Sequence, residues 1–327
     1  MRSCGHRSAA APPGDAEEAP VTAAPAGAEF EGRVVASFGR RFLVEDGAGG
    51  LLEAQRKGKR GDVVIGDRVR LRRVAARQAL IESVLPRRSL LMRADGARSQ
   101  ALAANVDRVA VIFAPRPAFN ERFVWRALIA ATAARVGSLA VLNKTDLDSE
   151  GAGAQALARL ARLGYATLAL SAKTAAESAR SALRQALGTE VNLLVGQSGM
   201  GKSTLINLLV PQANARTQEY SARLNLGRQT TTASRLFALD GGGSIIDTPG
   251  FQAFGLAHLQ LDELAAAMPE FAPFLGRCRF TDCRHLNEPD CAVRTAVSHA
   301  IDHDRYAFYA EVAAEAEALR ARAWSGR

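Results

Sequence analysis

Three folded parts in line are predicted by this sequence: an all-β barrel, a central α/β domain on a largely parallel sheet, and a mainly helical part built round a metal cluster. Three observations predict them. Residues 29–93 form short apolar-polar alternations separated by Gly-rich or charged turns. From residue 105, apolar runs alternate with helical periodicity, the pattern of strand–helix–strand units. Three of the four cysteines fall between residues 278 and 291, beside a histidine. The parts are expected at 29–93, 94–260 and 261–327, behind a tail of residues 1–28.

The tail is rich in Ala and Pro, carries Asp15, Glu17 and Glu18, and lacks the continuous apolar core of a signal peptide, so disorder is expected there. In the barrel region Glu31–Ala36, Arg41–Glu45, Leu51–Ala54, Val63–Leu71 and Ala79–Leu85 read as five strands. That number and size fit an oligonucleotide-binding (OB) barrel, and an SH3-like barrel or a purely structural cap fits the propensities equally well. The longest apolar stretch, around Ala127–Leu142, is broken by Arg135 and Gly137 and is too short for a membrane span, so no membrane partner is expected.

In the α/β part, Val106–Ala114 reads as a strand, Asn120–Arg135 as a helix, Leu139–Leu142 as a strand, Gln155–Leu163 as a helix and Thr167–Leu170 as a strand. A helix then runs to Leu187, Val191–Val195 is a strand, and Lys202 opens another helix. Residues 212–229 show no regular pattern; strands resume at Arg235–Leu239 and Ser244–Ile246, and helices are expected from Asp262 and Val293.

The chemistry sits where these strands end. Gly196-Gln197-Ser198-Gly199-Met200-Gly201-Lys202-Ser203, followed by Thr204, has phosphate-loop spacing between a strand and a helix. Its glycines let backbone N–H groups face phosphates, Lys202 reaches the terminal phosphates, and Ser203 ligates Mg²⁺. Asp247, ending an apolar strand in Asp247-Thr248-Pro249-Gly250, is expected to hold Mg²⁺ through water, with the Gly250 N–H sensing the γ-phosphate. Thr231, within Thr230-Thr231-Thr232, is expected to join Mg²⁺ and γ-phosphate. Asn143-Lys144-Thr145-Asp146 and Ser171-Ala172-Lys173 follow two further strands. Asp146 can pair with the N1–H and N2 edge of guanine, Asn143 with N7, the Lys144 stem with the ring face and the Ala172 N–H with O6. Together these motifs make a GTP/GDP site.

Their order is unusual. The guanine motifs precede the phosphate loop, the reverse of an ordinary GTPase, so the domain reads as circularly permuted. Phe251 stands where many GTPases carry a water-orienting Gln, and an apolar ring cannot bond water, so slow intrinsic hydrolysis and a stimulating partner are expected.

Cys278-x4-Cys283-x-His285-x5-Cys291 offers three thiolates and an imidazole, a set that suits one tetrahedral Zn²⁺ with no open position. His299 and His303, four apart on an expected helix, are rivals to His285. Clustered cysteines beside a histidine argue for a metal over disulfides and for a reducing, cytoplasmic setting.

Charge points to a polyanion. Of the formal +9, residues 29–93 carry +7, from 15 Lys/Arg and eight Asp/Glu. Such a localised excess is the footprint expected of a nucleic-acid partner. Among 42 basic residues only five are Lys: Lys144, Lys173 and Lys202 lie in nucleotide motifs, and Lys57 and Lys59 share one loop that becomes a second candidate contact.

The permuted order, the basic barrel, Gly227-Arg228-Gln229-Thr230-Thr231-Thr232, Asp247-Thr248-Pro249-Gly250-Phe251 and the Cys278–Val293 run resemble the RsgA family of bacterial small-ribosomal-subunit biogenesis GTPases, from residue 29 to the C-terminus. The resemblance implies an OB domain, a permuted GTPase domain and a zinc domain acting late in small-subunit maturation, with hydrolysis stimulated by that subunit. The implied partners are the small subunit and its rRNA; separately, a monomer is expected. Two positions depart from the family. Gln229 replaces a His considered there for orienting the attacking water, so that role falls to Gln229 or to none, and Asp290 replaces a Gly, a change the zinc site is expected to survive. Two other readings stand beside this one: a nucleotide-gated RNA-binding module with negligible turnover, and a permuted GTPase acting on the large subunit.

Guanine nucleotides should bind far more tightly than ATP in competition titrations, because the Asp146 carboxylate would be left unpaired against adenine. Asp146→Asn should gain XTP binding in the same assay.

Overall fold

The computed structural model describes residues 27–56, 63–95, 98–213, 234–248 and 255–325. The tail up to residue 26, Lys57, Lys59, most of the 212–229 segment, Gln229, Thr231, Gly250 and Phe251 lie outside the described residues.

Five strands build the barrel: β1 (Glu29–Phe38), β2 (Arg41–Asp46), β3 (Leu51–Arg56), β4 (Arg68–Ala75) and β5 (Gln78–Val84). β1 pairs antiparallel with β2 and β4, β2 with β3, and β4 with β5, while β3 and β5 run parallel. This closed five-stranded connectivity is that of an OB barrel. Period-two alternation sends Val34, Phe42, Val44, Leu52, Ala54, Val69, Leu71, Ala79 and Ile81 into its interior.

One strand differs from expectation. The fourth was expected from Val63, but β4 begins at Arg68. Residues 63–67 instead turn: Gly66 has φ +85° and Asp67 Oδ2 accepts the Val64 N–H at 2.8 Å. Val63, Val64 and Ile65 are all buried, but not within a sheet strand: Val63 packs in the barrel core, whereas Ile65 joins the core of the α/β part and bridges Ala103.

An unexpected hairpin follows, β6 (Leu90–Asp95) and β7 (Arg98–Ala104), spanning residues 93 and 94. Arg87, just before it, makes a bidentate pair with the fully buried Asp67 at 2.7 and 2.9 Å. Asn105 donates to Gly66 O at 2.9 Å and accepts the Arg88 N–H at 2.9 Å. The turn that displaced the fourth strand thus anchors the barrel to what comes next.

The α/β part alternates as expected: β8 (Arg108–Phe113), α1 (Glu121–Ala133), β9 (Gly137–Leu142), α2 (Ala152–Arg162), β10 (Ala166–Ala169), α3 (Ala176–Leu187), β11 (Val191–Val195), α4 (Lys202–Leu209), β12 (Ser234–Ala238) and β13 (Ser244–Asp247). The strand order is β10-β9-β8-β11-β13-β12, parallel except for β12. Asn120 caps α1 by accepting the Phe123 N–H, and Asp148 caps α2 through the Gly153 and Ala154 N–H groups.

The C-terminal part holds α5 (Leu261–Ala266), the short α6 (Ala292–Thr295) and the long α7 (His303–Ser325). α7 lies across α1: Arg126 bonds Glu311 and Glu315, Arg122 pairs with Glu311, and the Phe308 ring meets the Trp125 edge at 5.3 Å. Beneath them Arg305, 4% exposed, stacks on Trp125 at 4.8 Å and pairs with Glu270 at 2.6 Å. No helix of the described residues is long and apolar enough to cross a membrane.

Arg87→Ala should destabilise the protein by about 3–5 kcal/mol, since it strands a buried carboxylate. Denaturant unfolding measures the loss.

Candidate functional site

Parallel strands bring their C-terminal ends to one edge, and there the chain places four of its motifs. The phosphate loop leaves β11 at Val195 and enters α4 at Lys202. Gly199 and Gly201 have φ of +81° and +90°, conformations a side chain resists, and a Cβ on Gly196 would lie 2.6 Å from Ile112 O. A Cβ on Gly201 would strike Asn143 Nδ2. The loop is a tight backbone cradle, as phosphate binding requires. Ser203 and Thr204 are exposed in the first turn of α4.

Asn143, 1% exposed, joins the two halves of the site. Its Oδ1 accepts the Ala172 N–H at 3.2 Å and its Nδ2 donates to Met200 O at 3.1 Å. One Nδ2 hydrogen is left for a base nitrogen. The Ala172 N–H, expected to meet guanine O6, is bonded to Asn143 in this arrangement. Lys144, at φ +60°, reaches Gly199 O at 2.6 Å and Arg116 O at 2.9 Å, so its stem lies beside the phosphate loop. Asp146 is exposed, with Oδ1 held by the Ser171 hydroxyl, and Thr174 Oγ1 donates to Ser171 Oγ at 2.7 Å. Thr145 N–H bonds Leu170 O at 3.3 Å, which packs the first guanine loop against the strand that carries the second. Lys173 is exposed at the rim.

Lys202 Nζ donates to Asp247 Oδ1 at 2.5 Å and to Thr248 O at 3.3 Å. The two charged groups assigned to phosphate and magnesium are therefore adjacent. Gly196–Thr204, Asn143–Asp146, Ser171–Lys173 and Asp247 all gather here; Gln229, Thr231 and Gly250 lie outside the described residues. Three partners escaped the sequence: the Arg116 carbonyl, the Thr174 hydroxyl, and Asn120, whose N–H meets Gln197 Oε1 at 2.9 Å. Backbone carbonyls leave no trace in residue types, and a lone Thr or Asn carries no motif.

The metal cluster lies apart. One ligand atom from each of Cys278, Cys283, His285 and Cys291 falls within 4.8 Å of the others. His285 Nδ1 stands 3.5 Å from both Cys278 Sγ and Cys291 Sγ. His285 has φ +62° and Asp290 φ +53°, so both hold the left-handed conformation that brings the loop round, and Asp is among the residues that tolerate it. Burial pushes the His285 imidazolium down, against the opposing pull of Glu288, which favours the neutral ring a metal needs. Burial and then the Cys291 and Cys278 side chains raise the Cys283 thiol to about 12, against a backbone hydrogen bond at His285, a cost that a dication removes. Burial would raise Glu288 too, but N–H groups of Glu288, Leu286, Arg284 and Asn287 outweigh it and hold this carboxyl at about 2. Tyr306 and Tyr309 on α7 donate to His285 O at 2.9 Å and Arg284 O at 2.7 Å, fixing the loop from behind. Among the described residues the cluster takes in His285 and neither rival: α6 stops at Thr295, His299 sits in a turn and His303 opens α7. The cluster is consistent with a closed, structural Zn²⁺.

A family model described as RsgA GTPase matches residues 84–257. The Small ribosomal subunit biogenesis GTPase RsgA of Burkholderia pseudomallei (strain 668) is 45% identical over 300 residues, 91% of this chain and 96% of the relative. The chain belongs to the RsgA GTPase family. Its counterpart of the same name in Paraburkholderia xenovorans is 45% identical over 304 residues, covering 90% of this chain and 96% of that one. The structure of YjeQ from Thermotoga maritima matches with TM-score 0.65 at 27% identity, over 88% of this chain and 99% of that one. YloQ, described as a circularly permuted GTPase, shares the fold at TM-score 0.65 and 22% identity, over 89% and 96%. As a member of this family the protein is a GTP hydrolase that works with GTP, GDP and Mg²⁺.

Metal analysis should find one Zn²⁺ per chain. His285→Ala should lose most of it, whereas His299→Ala and His303→Ala should keep it, and chelation should lower the melting temperature.

Proposed function

We propose that this GTPase acts late in maturation of the small ribosomal subunit, in the cytoplasm and as a monomer, binding subunit rRNA in its GTP form and leaving after hydrolysis. The observation that carries the reading is the 45% identity, across 96% of their length, to relatives named for small-subunit biogenesis. An OB-type barrel in the most basic segment of the chain supports rRNA as the ligand.

Within the site, Asp146 reads the guanine edge and Asn143 offers its remaining amide hydrogen to the base. Lys202 would turn from Asp247 to the phosphates, and Ser203, Thr231 and, through water, Asp247 would hold Mg²⁺. Orienting the attacking water falls to Gln229 or to no residue of this chain, and the Gly250 N–H would sense the γ-phosphate. Residues 29–93 serve as the RNA-binding barrel, 94–260 as the GTPase domain and 261–327 as the zinc part. Phe251 cannot activate water, so the subunit completes the site.

GTP turnover should be slow alone and rise by about 10³-fold or more with purified small subunits, as activators achieve elsewhere. No stimulation would favour the RNA-binding module with negligible turnover, and stimulation by large subunits alone would favour the other permuted class. Subunit affinity should fall steeply with salt if Lys57, Lys59 and neighbouring arginines displace counterions from phosphates.

A further inference from the structure

Strand β1 is shared between two bodies. Its first half, Glu29–Arg33, pairs with β4 and closes the barrel, while Ala36 and Ser37 pair with Arg235 and Ser234 of β12. A bulge makes the change: the register against β2 shifts between Val34 and Ala36. Such an insertion bends the strand. Val34 stays in the barrel interior, whereas Val35, Ala36 and Phe38 join the core of the α/β part.

β12 pairs on its other side with β13, where Arg235 lies opposite Asp247. One rung of backbone therefore runs from Asp247 through Arg235 to Ala36. Two strand spacings place the barrel strand about 10 Å from the backbone of Asp247, with no loop between. Side chains brace the same junction. The Arg235 guanidinium lies 5.7 Å from the Phe38 ring centre, and Arg33 Nη2 donates to Ser244 Oγ of β13 at 3.4 Å. Asp247 is the carboxylate that Lys202 of the phosphate loop holds. Any shift of Asp247 when Lys202 turns to phosphate is passed sideways, because a hydrogen-bonded ladder packed on a core moves as a unit, and the bulge provides the place where β1 can bend.

We propose that this rung is a conformational link through which the nucleotide site sets the orientation of the barrel, with Arg235 as its positioning residue. Coupling free energy is reciprocal, so a ligand seated on the barrel alters guanine-nucleotide affinity. The link needs guanine-nucleotide binding and rests on no ribosomal partner.

Hydrogen exchange of the full chain with Mg²⁺ and either GDP or a non-hydrolysable GTP analogue, without ribosomes, tests it. Amides of 36–38 in β1 and 234–238 in β12 should change exchange rate together by about fivefold or more between the two nucleotides, while those of 79–82 in β5 stay the same. Arg235→Met, which keeps the stem and removes the guanidinium, should hold both nucleotide affinities within about twofold and leave β12 responsive with the β1 response reduced. Phe38→Leu tests the same contact if that variant folds poorly. A β12 response with β1 unchanged in the unaltered protein overturns the link, as does no response in either strand with nucleotide bound. A full β1 response in both variants overturns the assignment of Arg235. Failure to bind either nucleotide would instead strike at the nucleotide site itself.

Discussion

The carboxamide of Asn143 holds the nucleotide site in one piece. It is buried, and its two polar ends bond the Met200 carbonyl of the phosphate loop and the Ala172 N–H of the second guanine loop. Three loops that follow three different strands are thereby set in mutual register before any ligand arrives. A buried amide must find partners for both ends, and these two loops are the ones within reach. Lys144 adds a second tie to Gly199, which fixes the distance between base-reading and phosphate-binding groups.

Circular permutation leaves that arrangement intact because it changes which strand follows which, and the sheet edge is indifferent to chain order. What it does change is the neighbourhood of each motif along the chain. β12 and β13, the pair that ends in Asp247, now come last in the sheet and lead into the C-terminal part, and β12 sits at the edge where the barrel can add its own strand. An exposed edge strand seeks a partner, and here β1 supplies it within the same molecule. The result among the described residues is one 11-stranded sheet spanning barrel and GTPase domain.

The C-terminal part follows a different economy. It has little regular structure between α5 and α7, and its loops are organised by the four ligands, by Glu288 collecting N–H groups, and by Tyr306 and Tyr309 holding carbonyls. α7 then binds this loop cluster to α1 through Arg122, Arg126, Trp125 and the buried Arg305–Glu270 pair. Removing one member of that pair would leave an uncompensated buried charge, so the contact specifies a single docking of α7.

By itself the sequence determined the chemistry and most of the elements. Phosphate-loop spacing, the guanine motifs, their permuted order and the Cys/His set are local patterns, and local patterns survive in a linear string; so do the alternations that foretold a small five-stranded barrel, though not its OB connectivity, and the parallel strands. Only the tertiary structure decided the rest. It turned Val63–Asp67 out of the fourth strand and split the apolar run, so that Val63 stays in the barrel core while Ile65 meets Ala103 of the hairpin β6–β7, a contact between segments with no shared pattern. It chose His285 over His299 and His303, since a helix break at Thr295 cannot be read from the even spacing of two histidines. It also set Arg235 between Asp247 and Ala36, a rung made of backbone hydrogen bonds that any residue types could form. Side-chain chemistry is written in the residues, whereas pairing between distant strands is settled by which edges and faces remain to be buried once each domain has folded.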